Sequence, residues 1–387
     1  MKKIALFAYD FPHRKTHDFL MDLICLGVRD IVVLAAGKKQ LKYRDTRLYF
    51  DQSLKLSPPF NVSDLCDRLK IPFIRIDHDD SRGIAEIVNH YKLEVAIISG
   101  ARIIRGEVIS LFSAGVINFH PGKIPETSGL DAFFYTLNNN VAAGVTTHYI
   151  DHRVDAGFEI YFDEVVVSPA CTPEVLQENV YQLQRVALRR LVSQMRLGSL
   201  SSRPIFRPAK NEPMTPEKKL DALARFPAWR SARYVEQQHA GLMLACAEGQ
   251  LEIASEILDK LPELYRQRND KGWTPLIAAA HHNRREVVKL LLQLGANPND
   301  CGYKGTTVLM YAKTKLLNVQ DADYGLLDDL LARGADVARR DCFGKNVLDY
   351  VQESGDWQMT EYFSKKMRLI NGVYKSQGAA APPQGAD

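Results

Sequence analysis

One stretch is the most informative about the fold of the first part of the chain: residues 3–36, KIALFAYDFPHRKTHDFLMDLICLGVRDIVVLAA. Its two ends, 3–9 and 30–36, are apolar runs of strand length, and residues 16–26 between them are amphipathic with helical spacing. Apolar strands without polar alternation are typical of a sheet that is buried on both faces. The order strand, helix, strand therefore predicts the start of a parallel α/β sheet.

The same alternation continues along the chain. Further strands are predicted at 72–76, 94–99 and 116–119, and helices at 62–69, 83–91 and 105–112. We therefore predict an α/β domain with a Rossmann-like parallel sheet. Ligands of such sheets bind beyond the carboxyl ends of the strands, so the residues that directly follow each strand are the first candidates for a site.

A second architecture begins after the α/β part. The sequence becomes richer in strand patterns from Gly144, and a long amphipathic helix is predicted over 173–197. Four prolines then mark a connector: Pro204, Pro208, Pro213 and Pro216. Beyond it, residues 270–299, DKGWTPLIAAAHHNRREVVKLLLQLGANPN, resemble an ankyrin repeat.

Leucines at equivalent repeat positions support this resemblance, since Leu242, Leu276, Leu309 and Leu348 follow one another at offsets of 34, 33 and 39. Each such unit buries its apolar face only by stacking on its neighbours, so an all-α ankyrin repeat domain is expected. We predict four regions along the chain: an α/β domain at 1–200, a proline-rich and basic linking region at 201–236, ankyrin repeats at 237–371 and a disordered tail at 372–387.

Composition narrows the class of protein. The 387 residues are 46% hydrophobic and 25% charged, which is typical of a globular chain. No apolar run is long enough to span a membrane, and the six cysteines are scattered without a CxxC motif, so a cytoplasmic protein with reduced thiols is expected. The net charge of +4 arises from one segment of the chain. Residues 185–236 carry 12 Lys/Arg against 4 Asp/Glu, whereas residues 1–184 carry 20 Lys/Arg against 23 Asp/Glu.

Two motifs carry the candidate chemistry. VINFHPGKIPETSG (116–129) places Asn118 and His120 on one side of a strand end, and GVTTHYIDHRVDAG (144–157) places Asp151 and Asp155 just after another strand. An amide can donate to a developing oxyanion, an imidazole can move a proton, and a carboxylate can orient the imidazole. Neither stretch contains a Cys, and Ser128, the one Ser in them, is not assigned as a nucleophile, which favours direct transfer without a covalent enzyme intermediate.

The two motifs together resemble the formyltransferases that use N10-formyltetrahydrofolate, a family that acts on methionyl-tRNA, glycinamide ribonucleotide and nucleotide sugars. The resemblance implies a parallel-sheet formyltransferase fold over roughly residues 1–200. It also implies that Asn118 binds the formyl oxygen and the oxyanion. By the same resemblance, His120 stabilises the intermediate and assists proton transfer, and Asp155 orients His120 and accepts a proton from the amine.

The wording HPGKIPETSGLDAFF, followed by ankyrin units, looks most like the dTDP-amino-sugar N-formyltransferases that act on 3-amino-3,6-dideoxyhexoses for bacterial O-antigen and other surface polysaccharides. For the folate co-substrate, the resemblance points to the end of the strand before the catalytic one and to one later aspartate: Ser99, Gly100, Ala101, Arg102, Ile103 and Asp151. For the dTDP-sugar, cations and a hydroxyl on two loops are candidates: His13, Arg14, Lys15, Lys123 and Thr127. A homodimer is expected from the resemblance alone.

Several alternatives stay open. The acceptor could be a 4-amino sugar or another amine, and a sugar acceptor could have the gluco or the galacto configuration. Alternatively, water could replace the amine, which would make the protein a formyltetrahydrofolate hydrolase. The protein could instead be a non-enzymatic scaffold that binds other proteins through its ankyrin repeats. The basic segment favours solvated, subunit or nucleotide-phosphate contacts over nucleic acid. His148 and His152 lack a third ligand at suitable spacing, so no metal is expected.

Overall fold

The computed structural model describes residues 2–38, 61–153, 155–206 and 211–377. The chain divides into two compact units, Met1–Tyr234 and Val235–Asp387. The first unit contains the sheet and the second contains stacked helix pairs. Each unit has its own hydrophobic core, so each is described by itself.

An eight-stranded sheet forms the centre of the first unit. Its strands are β1 (Ile4–Tyr9), β2 (Ile31–Ala36), β3 (Phe73–Arg75), β4 (Val95–Ile98), β5 (Val116–His120), β6 (Gly144–Tyr149), β7 (Phe158–Glu164) and β8 (Arg203–Pro204). Their order across the sheet is β3-β2-β1-β4-β5-β6-β7-β8. Strands β1 to β5 pair in parallel, and β5 to β8 pair in antiparallel fashion.

The helices of the first unit cover both faces of this sheet. They are α1 (Arg14–Cys25), α2 (Val62–Leu69), α3 (Ser81–Tyr91), α4 (Gly106–Ile109), α5 (Ala132–Asn138), α6 (Pro173–Leu197) and α7 (Pro216–Ala224). One face buries Leu6 and Phe119 with residues of α1, α2 and α6, and the other buries Phe7 and Val116 with residues of α3 and α4. Alternating side chains along each apolar strand therefore enter two separate cores, as a sheet covered on both sides requires.

The predicted α/β fold is confirmed, with one difference in the sheet. The five predicted strands form in parallel within a residue or two of their expected ends, and the strand-rich stretch after Gly144 extends the same sheet in antiparallel fashion. Helix α6 has the expected bounds, because Thr172 caps its first turn and Gly198 ends it in the left-handed conformation. Helix α4 is shorter than expected and ends at Ile109.

The segment 201–236, expected as a linking region, contributes regular structure to the first unit. Its residues Arg203–Pro204 form the edge strand β8 against β7, and α7 follows. The Trp229 indole donates a hydrogen bond of 2.9 Å to the Val141 carbonyl. Arg207 and Lys210 lie outside the described residues.

The second unit consists of helix pairs at the predicted repeat positions. They are α8 (Phe226–Glu248) with α9 (Leu251–Lys260), α10 (Pro275–His281) with α11 (Arg285–Gln293), α12 (Val308–Ala312) with α13 (Gly325–Ala332), and α14 (Val347–Glu353) with α15 (Trp357–Gln377). Leu242, Leu276 and Leu309 are buried in one continuous core. Of the tail predicted to be disordered, 372–377 belong to α15, and 378–387 lie outside the described residues.

Candidate active site

Antiparallel pairing of β5 with β6 places Asn118 directly opposite His148. The Asn118 Nδ2 atom lies 3.3 Å from His148 Nε2, and His148 Nδ1 lies 2.9 Å from the Ala156 carbonyl oxygen. Burial lowers the pKa of His148 to about 4, so the ring is neutral near pH 7. A neutral ring that donates from Nδ1 to a carbonyl must accept at Nε2. Asn118 therefore gives one N–H to His148 and offers its second N–H to a ligand oxygen.

His120 ends the same strand, and its ring is buried with 4% of its surface exposed. Its Nδ1 atom lies 3.4 Å from Asp155 Oδ2, and its Nε2 atom lies 3.0 Å from the Thr127 carbonyl oxygen. Both ring nitrogens thus lie within reach of oxygen atoms that fix the orientation of the ring. An imidazole held at this position can move a proton.

Asp155 is held from two sides on the turn between β6 and β7. The residue adopts a left-handed backbone conformation with φ of 46°, and its Oδ2 accepts the Gly129 amide N–H at 2.6 Å. Burial alone would raise the pKa of the carboxyl group, but His120 and the Gly129 amide outweigh it and hold the pKa well below its usual range. Asp155 is therefore ionised beside His120.

Lys15, in the first turn of α1, approaches β5, which carries Asn118 and His120 and is here called the catalytic strand. Its Nζ donates to the Phe119 carbonyl at 3.3 Å, between Asn118 and His120 in sequence. The neighbouring strand β4 ends at Ile98, and its pairing with β5 stops at Ile117, so no strand pairing with β4 reaches this carbonyl. Burial lowers the pKa of Lys15 to about 7.

The residues expected to bind folate follow β4, the parallel neighbour of the catalytic strand. The Ser99 hydroxyl donates to the Phe7 carbonyl at 2.7 Å, and Arg102 lies 3.4 Å from Asp77 and also contacts the Gly37 carbonyl. Ile103 leaves 66% of its surface exposed at this edge. Ala101 is half-buried beside them. The edge thus presents apolar surface together with a guanidinium group.

Gly100 and Asp151, which are also expected to bind folate, both lie beside side chains of the same unit. A Cβ atom at Gly100 would lie 2.8 Å from the Tyr9 ring and 2.9 Å from His13, so the close approach there is made by these two side chains. Asp151 forms an ion pair of 2.5 Å with Arg153 on the loop that also carries Asp155.

The residues expected to bind phosphate each have an intramolecular partner. His13 caps α1 and accepts from the Thr16 amide, and burial lowers its pKa to about 4, so it carries no charge near pH 7. Arg14 forms two hydrogen bonds with Glu178, at 2.8 and 2.6 Å. Lys123 lies 3.8 Å from Glu126, and the buried Thr127 hydroxyl donates to the Lys123 carbonyl at 3.0 Å.

The described residues contain neither a metal-binding cluster of side chains nor a helix that could span a membrane. No group of three or more His, Cys, Asp or Glu side chains within 2–38, 61–153, 155–206 and 211–377 could hold a metal ion. Over the same part of the chain, no helix combines the length and apolar character that crossing a bilayer requires.

Sequence reasoning missed the groups that fix the candidate residues. The Thr127 carbonyl and the Gly129 amide are backbone groups, and they carry no signal in side-chain identity. The sequence suggests His148 only as a possible metal ligand, for which it lacks partners, and gives it no role beside Asn118. Pairing the two motif strands as neighbours in the sheet would have placed it opposite Asn118.

Comparisons with known proteins match the two units separately. Residues 58–192 match the sequence profile of the formyl transferase family, and residues 242–341 match that of ankyrin repeats in three copies. The chain carries a formyl transferase domain followed by ankyrin repeats.

Individual relatives of the formyl transferase domain and of the repeats show limited identity. Phosphoribosylglycinamide formyltransferase of Bacillus subtilis (strain 168) is 26% identical over 105 residues, which are 27% of this chain and 54% of that protein. A putative ankyrin repeat-containing protein of Treponema pallidum (strain Nichols) is 31% identical over 115 residues, 30% of this chain and 37% of that protein.

Among solved structures, a sugar N-formyltransferase from Shewanella sp FDAARGOS_354 has 16% identity and a TM-score of 0.39, covering 57% of this chain and 87% of that one. The curated relatives are matched over only part of their own length, between 13% and 54% for five of them.

Proposed function

We propose that the chain transfers a formyl group from N10-formyltetrahydrofolate to the amine of a dTDP-3-amino-3,6-dideoxyhexose, which yields a formamido sugar for bacterial surface polysaccharide. The observation that carries the formyl transfer is the arrangement of Asn118, His120 and Asp155 within a domain that matches the formyl transferase family. The dTDP-amino-sugar acceptor rests on the resemblance of HPGKIPETSGLDAFF and on the ankyrin repeats that follow.

The co-substrate supplies the formyl carbon, and its N10 is the leaving group. The edge after β4 suits such a donor, because the exposed Ile103 offers apolar surface to a flat ring, and the Arg102 guanidinium, which is paired with Asp77, brings positive charge to the same edge. This edge adjoins Asn118 in the sheet, because β4 and β5 are parallel neighbours.

Asn118 and His120 act on the formyl oxygen. When the acceptor amine attacks the formyl carbon, negative charge develops on this oxygen, and the second N–H of Asn118 and the imidazole of His120 stabilise it. The amine nitrogen becomes positively charged during the attack and releases a proton to Asp155. A C–N bond to the acceptor forms, the bond from carbon to N10 breaks, and the proton returns to N10.

The test incubates the purified chain with the folate donor and separate acceptors, and follows the mass of each acceptor. The panel contains dTDP-3-amino and dTDP-4-amino sugars, glycinamide ribonucleotide and a sample without acceptor. We expect the mass of one formyl group to be added to a 3-amino sugar. Formylation of none of the acceptors would refute the proposal, and release of tetrahydrofolate without acceptor would favour a hydrolase.

Substitutions separate this chemistry from binding. Asn118→Ala, His120→Ala and Asp155→Ala should each lower kcat by a factor on the order of 10² or more, because each removes a group that acts on the reacting atoms. Near-normal turnover of the folded His120→Ala variant would show that the assignment is wrong. Folding is checked by circular dichroism and thermal unfolding.

A further inference from the structure

The loop between the catalytic strand and α5, residues 121–131 and here called the catalytic loop, fixes two of the three candidate catalytic groups. It presents the Thr127 carbonyl to His120 at 3.0 Å and the Gly129 amide to Asp155 at 2.6 Å. The position of this backbone therefore sets the positions of both side chains.

A segment of the supposed linking region binds the outside of this loop. Residues 211–219, here called the strap, include Asn211, whose amide N–H donates to the Ser128 carbonyl at 3.2 Å and forms a parallel bridge with Gly129. The Asn211 side chain donates to the Glu126 carbonyl at 3.0 Å. A Cβ atom at Gly129 would lie 2.9 Å from the Asn211 carbonyl oxygen, so the two backbones are in direct contact.

The far end of the catalytic loop is fastened to the same strap. Asp131 Oδ1 lies 2.7 Å from Lys219 Nζ, and its Oδ2 accepts the Met214 amide at 2.9 Å. The side chain of Lys219 is 3% exposed and that of Asp131 is 15% exposed. A buried charge pair requires defined geometry, because either partner alone would be left as an unpaired charge.

We propose that Asn211 and Lys219 are positioning residues for the reaction, which act on His120 and Asp155 through the catalytic loop. The proposal rests on the proposed function for the reaction that it serves. Ser128 and Gly129 contact the strap. Ser128 follows Thr127, whose carbonyl faces His120, and Gly129 itself donates to Asp155. Displacement of a catalytic group by about 1 Å costs on the order of 10²-fold in rate, so loss of the strap contacts should slow turnover.

The first experiment measures steady-state kinetics of Asn211→Ala, Asn211→Gln and Lys218→Met. We expect Asn211→Ala to lower kcat at least about tenfold with little change in KM for the acceptor, because the variant loses the side-chain hydrogen bond that holds the catalytic loop at the Glu126 carbonyl while the binding surfaces stay. Asn211→Gln keeps an amide donor and should recover part of the rate. Lys218→Met is the matched control, since Lys218 lies on the strap with an exposed side chain and should behave as wild type.

A second readout does not depend on turnover. Nitrogen NMR of histidine-labelled protein reports the hydrogen bonding of His120 Nε2, with the signal assigned through His120→Ala. We expect Asn211→Ala to shift this signal and Lys218→Met to leave it in place. A wild-type signal together with a wild-type kcat in Asn211→Ala would overturn the proposal.

The two proposals fail in different ways. If wild-type protein formylates no acceptor, the proposed function is wrong, and the His120 signal alone decides whether the strap positions the loop. If Asn211→Ala does not fold, the same two measurements pass to Asn211→Asp, which keeps the size of the side chain but has no N–H for the Glu126 carbonyl, and an unchanged kcat together with an unchanged His120 signal in that variant overturns the positioning role. Lys219→Arg, which keeps the charge opposite Asp131, should retain most of the activity that Lys219→Met loses.

Discussion

The Asn118 amide could face its surroundings with either its oxygen or its nitrogen, and His148 decides between them. The buried ring gives its Nδ1 proton to the Ala156 carbonyl, which leaves Nε2 as an acceptor for the amide nitrogen alone. The pKa of His148, lowered to about 4 by burial, keeps this arrangement in place throughout the neutral range. In the proposed reaction, His148 thus orients the N–H that Asn118 would donate to the developing oxyanion.

Replacing His148 by alanine tests this orientation. We expect His148→Ala to lower kcat by roughly tenfold or more, because the amide becomes free to rotate away from the reacting oxygen. The effect should be smaller than that of Asn118→Ala. Since His148 acts through Asn118, the double variant should be no slower than Asn118→Ala alone, and steady-state kinetics of the four proteins measure this.

The control for this cycle is His152→Ala, because His152 is an exposed histidine on the loop after β6. This variant should keep the wild-type kcat. Additive losses in Asn118→Ala/His148→Ala would mean that His148 acts independently of the amide, which would contradict the positioning role.

Side-chain chemistry explains how much of the site could be predicted from the sequence. The residue types of Asn118, His120 and Asp155 indicate what they can do, and the two-residue alternation of a strand puts the first two on one side. The groups that hold His120 and Asp155 are the Thr127 carbonyl and the Gly129 amide, backbone groups that every residue type except proline possesses. Their roles depend on how the loop folds back, and no local pattern encodes that.

At the scale of elements, the turn between β6 and β7 sets the position of Asp155. The turn requires Gly157, which has φ of +94° and whose added Cβ atom would lie 2.2 Å from the Tyr149 carbonyl oxygen. Glycine is therefore needed both for the left-handed backbone and for the close approach of the two strands.

Gly157→Ala should damage stability and catalysis together. A positive φ destabilises an alanine by about 1 kcal/mol or more, and the clash with Tyr149 would move the turn that carries Asp155. We expect a lower unfolding midpoint in urea and a loss of kcat beyond what the fraction of unfolded protein explains.

Gly198 supplies the control for this substitution, since it has φ of +65° and no atom within 4 Å of an added Cβ. Gly198→Ala should show the backbone cost with normal turnover of the folded protein. Equal kcat values for the two variants would show that the turn does not position Asp155.

Local periodicity predicted the elements better than their arrangement. The apolar runs of β1 and β2 and the amphipathic pattern of α6 identify these elements within two residues of their ends. The order of strands across the sheet depends on contacts between segments that are distant in sequence. The packing of the proline-rich connector also depends on such contacts, so local periodicity does not predict it. Asn211 and Lys219 look like linker residues until the catalytic loop lies beside them.

At the scale of the molecule, several positive charges of residues 185–236 pair with acidic side chains within the first unit. Arg185 and Arg189 both bind the buried Asp22, at 2.8 and 2.6 Å. Arg190 pairs with Asp163 and Arg203 with Glu159, at 2.5 and 2.7 Å. These contacts join α6 and the edge strand to the slightly acidic remainder of the unit, so the local charge has a structural use.

Two histidines with lowered pKa values, the half-buried His13 and the buried His148, give the first unit a pH-dependent stability. Burial lowers the pKa values of His13 and His148 to about 4, against 6.5 for an unperturbed histidine. Between these pH values the unfolded chain binds more protons than the folded one, so stability rises with pH. The contribution is complete above about pH 6.5 and is lost as the pH falls towards 4.

His13→Asn removes one of these groups and keeps a good cap for α1, because asparagine is among the preferred N-cap residues. Urea unfolding at a series of pH values should give a slope between about pH 4 and 6.5 that is smaller by roughly one proton than that of wild type. Above about pH 7 the two stability curves should run parallel, since His13 is neutral in both states there. An unchanged slope in the variant would contradict the burial of His13 as a neutral ring, because a histidine that titrates alike in both states contributes nothing to the pH dependence.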